Sequence, residues 1–287
     1  MVRMDHQQLT FGGLLDAALK LFTKHFVELA KVAAVFGLVS FAVFSAIDLW
    51  GLKEEPLSRV FFSIGAEPIR PIDLASYHTA RLLKAVLSAV FVIVAAGALL
   101  RAADGARQGN PVGLGDALKF GLRGAHSVTW IWFAYVAGVF FASFALLIGG
   151  IFAATALCLG APVFVVEGAK GLKALRRSHQ LVTDNWWRVF GFFLVIGIIG
   201  LILGSIVPGL IQVALIDFTR DHFDLGIILA KAAGAIGYVI LGSLYAAALI
   251  AVYYDLRVRR EGYDVERLVE QLEATAPGEG TSGLPSS

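Results

Sequence analysis

The sequence predicts an all-α, polytopic membrane bundle of six transmembrane helices, arranged as three repeats of an amphipathic helix followed by two spans. Three observations carry that prediction. First, 57% of the 287 residues are hydrophobic and 16% charged, with a mean hydropathy of +0.75, whereas soluble domains carry about 45–50% apolar and about 25% charged residues. Second, the apolar residues gather in long charge-free blocks, each near the about 20 residues that cross a hydrocarbon core of about 30 Å. Third, a short motif recurs ahead of each odd-numbered span: Gly13-Leu14-Leu15-Asp16-Ala17-Ala18-Leu19, Gly113-Leu114-Gly115-Asp116-Ala117-Leu118 and Gly171-Leu172-Lys173-Ala174-Leu175.

The first repeat begins at Leu9. Thr10 is placed to cap a helix whose apolar face is Leu14, Leu15, Ala18, Leu19, Phe22 and Phe26. The run from Val32 to Leu49 is the first span, closed by Trp50. Between Gly51 and Tyr77 the character changes, with Pro56, Pro68, Pro71 and scattered charges, and this reads as a partly ordered loop outside the membrane. The second span follows over about 82–100 and ends at Arg101 and Asp104.

Gly105 to Pro111 is a turn leading to the second amphipathic motif. From Val128 to Val166 there is no charged residue. One helix of that run would reach about 58 Å at about 1.5 Å per residue, so it reads as two spans with Gly149-Gly150 as the turn. Pro162 kinks the second or marks where neighbours satisfy its backbone, and Glu167 ends it.

In the third repeat, Leu172, Leu175, His179 and Val182 share one face, extended by Trp186, while Lys173, Arg176, Arg177 and Gln180 share the other. Trp186 and Trp187 stand where the fifth span, about 187–207, enters the membrane. The sixth span covers about 232–252, and Val265, Leu268, Val269 and Leu272 suggest one further amphipathic helix. The expected organisation is a single membrane domain over 1–273, with repeats at about 9–104, 105–167 and 168–262, and a disordered Gly/Ser/Pro tail over 274–287.

Most of the basic residues fall at the end of the spans that also carries both termini, so the positive-inside rule places both termini and all three amphipathic helices in the cytoplasm. Met1 to Gln8 is polar and no secretory signal follows it. The single cysteine, Cys158, sits in an apolar run as a small packing residue. The formal charge of +2 gives no footprint for nucleic acid.

The sequence offers no catalytic constellation and no cofactor motif: there is no Gly-x-Ser-x-Gly elbow and no phosphate loop, and the histidines stand singly. His179 reads as an interfacial packing residue. Asp217, Asp221, His222 and Asp224 could offer oxygens to a hard cation, but a solvated acidic loop explains them better, and no metal is assigned. No ionisable group stands at mid-span, which weighs against an ion-coupled transporter. Gly197, Gly200 and Gly204, and Gly234, Gly237 and Gly242, read as helix-packing residues.

Three segments together resemble the bacterial glycerophosphoryl diester phosphodiesterase membrane-domain family. They are Thr10-Phe11-Gly12-Gly13-Leu14-Leu15-Asp16-Ala17-Ala18, then Leu175-Arg176-Arg177-Ser178 with Trp186-Trp187-Arg188, and then Tyr253-Tyr254-Asp255-Leu256-Arg257-Val258-Arg259-Arg260-Glu261-Gly262-Tyr263-Asp264. The resemblance implies a six-span module in a bacterial cytoplasmic membrane, standing alone without the catalytic barrel, which takes about 250 residues.

The expectation is therefore a non-enzymatic integral membrane protein that meets anionic lipid headgroups, or a membrane or cytoplasmic partner protein, through its basic face. The residues expected to make that contact are Lys173, Arg176, Arg177, Trp186, Trp187, Arg188, Arg257, Arg259 and Arg260. The alternative is a transporter or lipid-translocating protein with a cavity among the six spans.

Overall fold

The computed structural model describes residues 9–51, 74–145, 147–206, 209–210, 213 and 223–275, and these are almost all helical, without a strand. Six segments among them are long and apolar enough to cross a membrane: Phe26–Phe44, Arg81–Arg107, Leu114–Ser143, Gly149–Glu167, Leu172–Gly204 and Ala232–Glu261. The all-α bundle expected from hydropathy is thus observed.

Helix α1 (Phe11–Lys24) starts as expected. Thr10 is extended and its Oγ1 accepts the Gly13 N–H at 3.1 Å, satisfying one of the donors that a helix start leaves without partners. Leu14, Ala18 and Leu21, one turn apart, form its buried face. After His25 the chain continues as α2 (Phe26–Gly51). The expected loop over 51–77 lies mostly outside the described residues, and α3 (Leu74–Arg107) takes up its last residues.

The second amphipathic motif does not form a separate helix. It runs without interruption into the third span as α4 (Leu114–Ala145). Nothing between Leu118 and Val128 breaks it, because the glycines there are needed for packing. At Gly121 a Cβ would stand 2.6 Å from the Val94 carbonyl oxygen of α3, so this glycine fixes how closely the two helices cross.

The charge-free run is two helices, α5 (Leu147–Leu157) following α4, but the turn is not at Gly149-Gly150. Both glycines are inside α5. A Cβ on Gly149 would lie 2.6 Å from the Ala142 carbonyl oxygen, and one on Gly150 would strike the Ser143 hydroxyl. They let the hairpin arms touch and do not form its bend. The fourth span is itself broken, and not at Pro162: α5 ends at Leu157, and α6 (Gly160–Glu167) begins after a turn at Cys158 and Leu159. Pro162 falls in the first turn of α6, where its missing N–H has no helical acceptor to lose.

Helix α7 (Leu172–Val182) is the third amphipathic helix, rotated from expectation. It buries Ala174, Leu175, Ser178, Leu181 and Val182, while Leu172 and His179 are exposed. Ser178 faces the break in the fourth span. A short 3-10 turn (Thr183–Asn185) leads to α8 (Trp186–Leu201), which relaxes into a π turn at Ile202–Ile206. Gly200 and Gly204 lie under Leu241 of the last helix, so the glycine stripe is a packing surface.

The last helix, α9 (Phe223–Thr275), is 53 residues long and unites the sixth span with the segment expected as a separate amphipathic helix at 265–272. It also includes Ala274 and Thr275, expected in the disordered tail; residues 276–287, and Asp217, Asp221 and His222 of the acidic loop, lie outside the described residues. The interior mixes alanines, of which Ala33, Ala98, Ala103, Ala117, Ala247 and Ala248 are fully covered, with fully buried large side chains such as Leu29, Leu100, Phe192 and Tyr253. Large apolar side chains such as Leu82, Val86, Phe140 and Phe141 point outward. Apolar side chains facing outward are what a bundle in lipid needs, and the alanines inside let backbones approach closely.

Candidate functional site: the basic end of the bundle

The segment Tyr253–Glu261 of α9 is the hub of one end of the bundle, and three carboxylate nodes tie it to the other helices. At the first node, Asp104 of α3 is 1% exposed. It accepts the Tyr254 hydroxyl at 2.8 Å and the Gln108 amide at 2.9 Å. The Arg107 guanidinium lies 3.6 Å from the centre of the Tyr254 ring, a cation–π contact.

At the second node, Glu167 ends α6. It receives the Tyr253 hydroxyl at 2.8 Å and Arg177 Nε at 3.1 Å. The other arm of Arg177 reaches Glu261 at 2.7 Å, which Arg257 also reaches at 2.7 Å. At the third, Asp255 is buried, and its Oδ2 accepts Arg188 Nε and Arg259 Nε, both at 3.1 Å. Its Oδ1 has no hydrogen-bond partner among the described residues. Arg188 Nη2 continues to the carbonyls of Leu9 at 2.7 Å and Thr10 at 3.2 Å, and Arg259 also donates to the Leu9 carbonyl. Arg260 pairs with the exposed Asp184 at 3.7 Å.

Four of the arginines expected to face lipid or a partner therefore spend their charge inside the molecule: Arg177, Arg188, Arg257 and Arg259. Lys173 and Arg176 do stand exposed on α7, and Trp187 is 78% exposed. Trp186 is instead a packing residue: it stacks on Phe152 and Phe190 and donates its indole N–H to the Phe152 carbonyl at 3.2 Å. The structure thus divides the expected surface in two, with Lys173, Arg176 and Trp187 outward.

A further function of α7 was not legible from its motif. Ser178 is fully buried at the break in the fourth span. Its hydroxyl accepts the Leu159 N–H at 3.0 Å and donates to the Ala156 carbonyl at 2.9 Å. Both backbone groups would otherwise be unpaired within the bundle, where that costs several kcal/mol.

The basic residues left over converge elsewhere. A pocket of about 700 Å³ lies at the same end, between the α3–α4 turn, the start of α4 and the α6–α7 connection. Arg101, Lys119, Arg123 and Lys170 line it, with Asp116 as the one acid and Phe120 and Phe164 as its apolar wall. Arg101 is engaged by Asp104 at 3.5 Å and lies over Phe120. Lys119, Arg123 and Lys170 have no ion-pair partner among the described residues. The pocket offers concentrated positive charge beside an apolar surface, which is the chemistry of a phosphate-bearing headgroup site. Among the described residues, no group of three His, Cys, Asp or Glu side chains could hold a metal ion.

Six apolar helical segments around a shared apolar core define a multi-pass, all-helical membrane protein. Within that class, residues 15–256 match the family described as "Domain of unknown function (DUF7847)", and the chain belongs to that family. No curated protein and no solved structure matches it.

Proposed function

We propose that the protein is a non-enzymatic membrane module that holds an anionic lipid headgroup at the cytoplasmic surface of a bacterial membrane, through Lys119, Arg123 and Lys170. The observation that carries this reading is the contrast between two sets of cations at one end of the bundle. Arg177, Arg188, Arg257 and Arg259 are matched to Glu167, Asp255 and Glu261. Lys119 and Arg123 of α4 and Lys170, about 50 residues away in sequence, meet in one pocket without such partners. The excess of basic residues at this end supports placing it, and both termini, in the cytoplasm. The resemblance to the glycerophosphoryl diester phosphodiesterase membrane domain supports a role tied to membrane lipid.

Each basic residue at an anionic surface contributes about 1 kcal/mol. The three together give about 3 kcal/mol, a little over a hundredfold in affinity. The test is retention of phosphatidylglycerol against phosphatidylcholine by the purified protein, read by native mass spectrometry. Replacing Lys119, Arg123 and Lys170 together by Gln should abolish the preference, while replacing Lys173 and Arg176 by Gln should leave most of it. Equal preference in wild type and the triple variant refutes the proposal.

A further inference from the structure

A short internal repeat sets one cation of the headgroup pocket apart from the rest. Asp104-Gly105-Ala106-Arg107 closes the second span, and Glu167-Gly168-Ala169-Lys170 closes the fourth. The acids act alike in both copies: Asp104 accepts the Tyr254 hydroxyl and Glu167 the Tyr253 hydroxyl, each at 2.8 Å. The cations do not. Arg107 lies 3.6 Å from the centre of the Tyr254 ring, whereas Lys170 lines the pocket with Lys119 and Arg123. The backbone around the pocket is shaped for this. Lys170 stands between Gly168 (φ 71°) and Gly171 (φ 56°), and the α3–α4 turn holds Gly109 (φ 76°). Side chains rarely adopt that conformation, and among the described residues all the glycines that do so lie in the two connections that build the pocket.

We propose that the pocket selects a lipid whose headgroup is a terminal phosphate, a phosphomonoester, over lipids whose phosphate is a diester. This rests on the headgroup reading above and names the class of lipid. Arg101 is met by Asp104, which leaves three cations, Lys119, Arg123 and Lys170, against one acid, Asp116, a surplus of two positive charges. A terminal phosphate loses its second proton near about pH 6 and carries close to two negative charges at neutral pH, so it cancels that surplus. A phosphodiester carries one and leaves half of it. Lys119 and Arg123 are four residues apart and share one face of α4, while Lys170 comes from a different element, which suits a group with three free oxygens. Phe120 and Phe164 beside them offer an apolar surface to the first methylenes of a lipid, a surface that a soluble phosphate would not use.

The test uses the full chain in neutral detergent, with phosphatidic acid, phosphatidylglycerol and phosphatidylcholine of matched chains as probes, counted by native mass spectrometry. At about pH 7.5, wild type should hold phosphatidic acid at least about fivefold more tightly than phosphatidylglycerol, the worth of one further charge at such a surface. That advantage should shrink at about pH 5.5, where the terminal phosphate regains a proton. The charged groups around it are Arg101 of α3, Asp116, Lys119 and Arg123 of α4, and Lys170; no histidine lines the pocket. Lys170→Gln should bring the two anionic lipids to within about twofold, with phosphatidylglycerol still ahead of phosphatidylcholine, and Lys170→Arg should keep the wild-type order. An excess of glycerol 3-phosphate should leave bound phosphatidic acid in place. A wild type that holds phosphatidic acid no better than phosphatidylglycerol, yet prefers both to phosphatidylcholine, overturns this proposal and leaves the headgroup reading standing. So does a preference that survives Lys170→Gln or the lower pH, and displacement by glycerol 3-phosphate overturns the choice of a lipid. A triple Gln variant of Lys119, Arg123 and Lys170 that still prefers phosphatidylglycerol to phosphatidylcholine overturns both.

Discussion

Replacing Asp255 by Ala should loosen the basic end more than any other single change there. Asp255 is 4% exposed, and one of its oxygens accepts from two arginines, Arg188 and Arg259, each at 3.1 Å. Removing one partner of a buried ion pair costs about 3–5 kcal/mol, mostly because the other charge is left uncompensated. Here the arginine side chains keep 18% and 19% of their exposure and also donate to the Leu9 carbonyl. Both facts soften the loss, so the lower figure of about 3 kcal/mol applies. At about 2–4 °C per kcal/mol for a chain of this size, the melting temperature should fall by about 6–12 °C. The assay is thermal unfolding in detergent followed by tryptophan fluorescence, with hydrogen exchange over α1 as a local readout. Asp255→Asn, which keeps the shape and removes the charge, should show most of the same fall. The control is Asp184→Ala: that carboxylate is 74% exposed and stands 3.7 Å from Arg260, so less than about 1 kcal/mol is at stake. An Asp255→Ala protein melting within about 2 °C of wild type, or no lower than Asp184→Ala, would refute the argument that charge compensation holds this end together.

Other positions test the packing. Ser178→Ala leaves the Leu159 N–H and the Ala156 carbonyl without that partner, and at about 1–3 kcal/mol for each group should cost about 2–6 kcal/mol in the same melting assay. Gly121→Ala places a methyl group 2.6 Å from the Val94 carbonyl oxygen, and should lower the melting temperature and broaden the gel-filtration peak as α3 and α4 separate. Gly115→Ala, where nothing lies within 4 Å of the new Cβ, should instead stabilise α4 by about 0.5–1 kcal/mol.

The spans were legible because hydropathy over about 20 residues is a local property, and lipid permits few alternatives to a helix. The break in the charge-free run was legible for the same reason, since its length exceeds one crossing. Its position was not. Gly149 and Gly150 look like a turn in one dimension, and only the approach of Ala142 and Ser143 shows that they are contact points. The second amphipathic motif resembles the first in sequence, yet no His25-like interruption follows it and it stays part of the span.

The site was less legible than the fold. Sequence shows how many cations share one end of the bundle, but not which ones are already paired. Arg177 meets Glu261 from 84 residues away, and Arg188 meets Asp255 from 67. A partial signal was present: Asp104, Glu167, Asp255 and Glu261 also lie at the basic end, where topology alone gives no reason for acids. Matching those acids to the arginine-rich segments would have set aside Arg177, Arg188, Arg257 and Arg259. Attention would then have passed to Lys119, Arg123 and Lys170, which have only Asp116 beside them.

The clasp on Leu9 and Thr10 has a consequence for the order in which the molecule is made. The carbonyls that open the chain's first helix are held by Arg188 and Arg259, 179 and 250 residues beyond Leu9. A chain grows from its N-terminus at about 5–20 residues per second, so α1 waits through the synthesis of 250 further residues before both anchors exist. Closing the clasp requires that the last helix be both synthesised and inserted in the correct direction. A chain that stops short, or whose final span is inverted, leaves α1 undocked, with Leu14, Ala18 and Leu21 uncovered. Docking of α1 thereby waits on the arrival of the last helix.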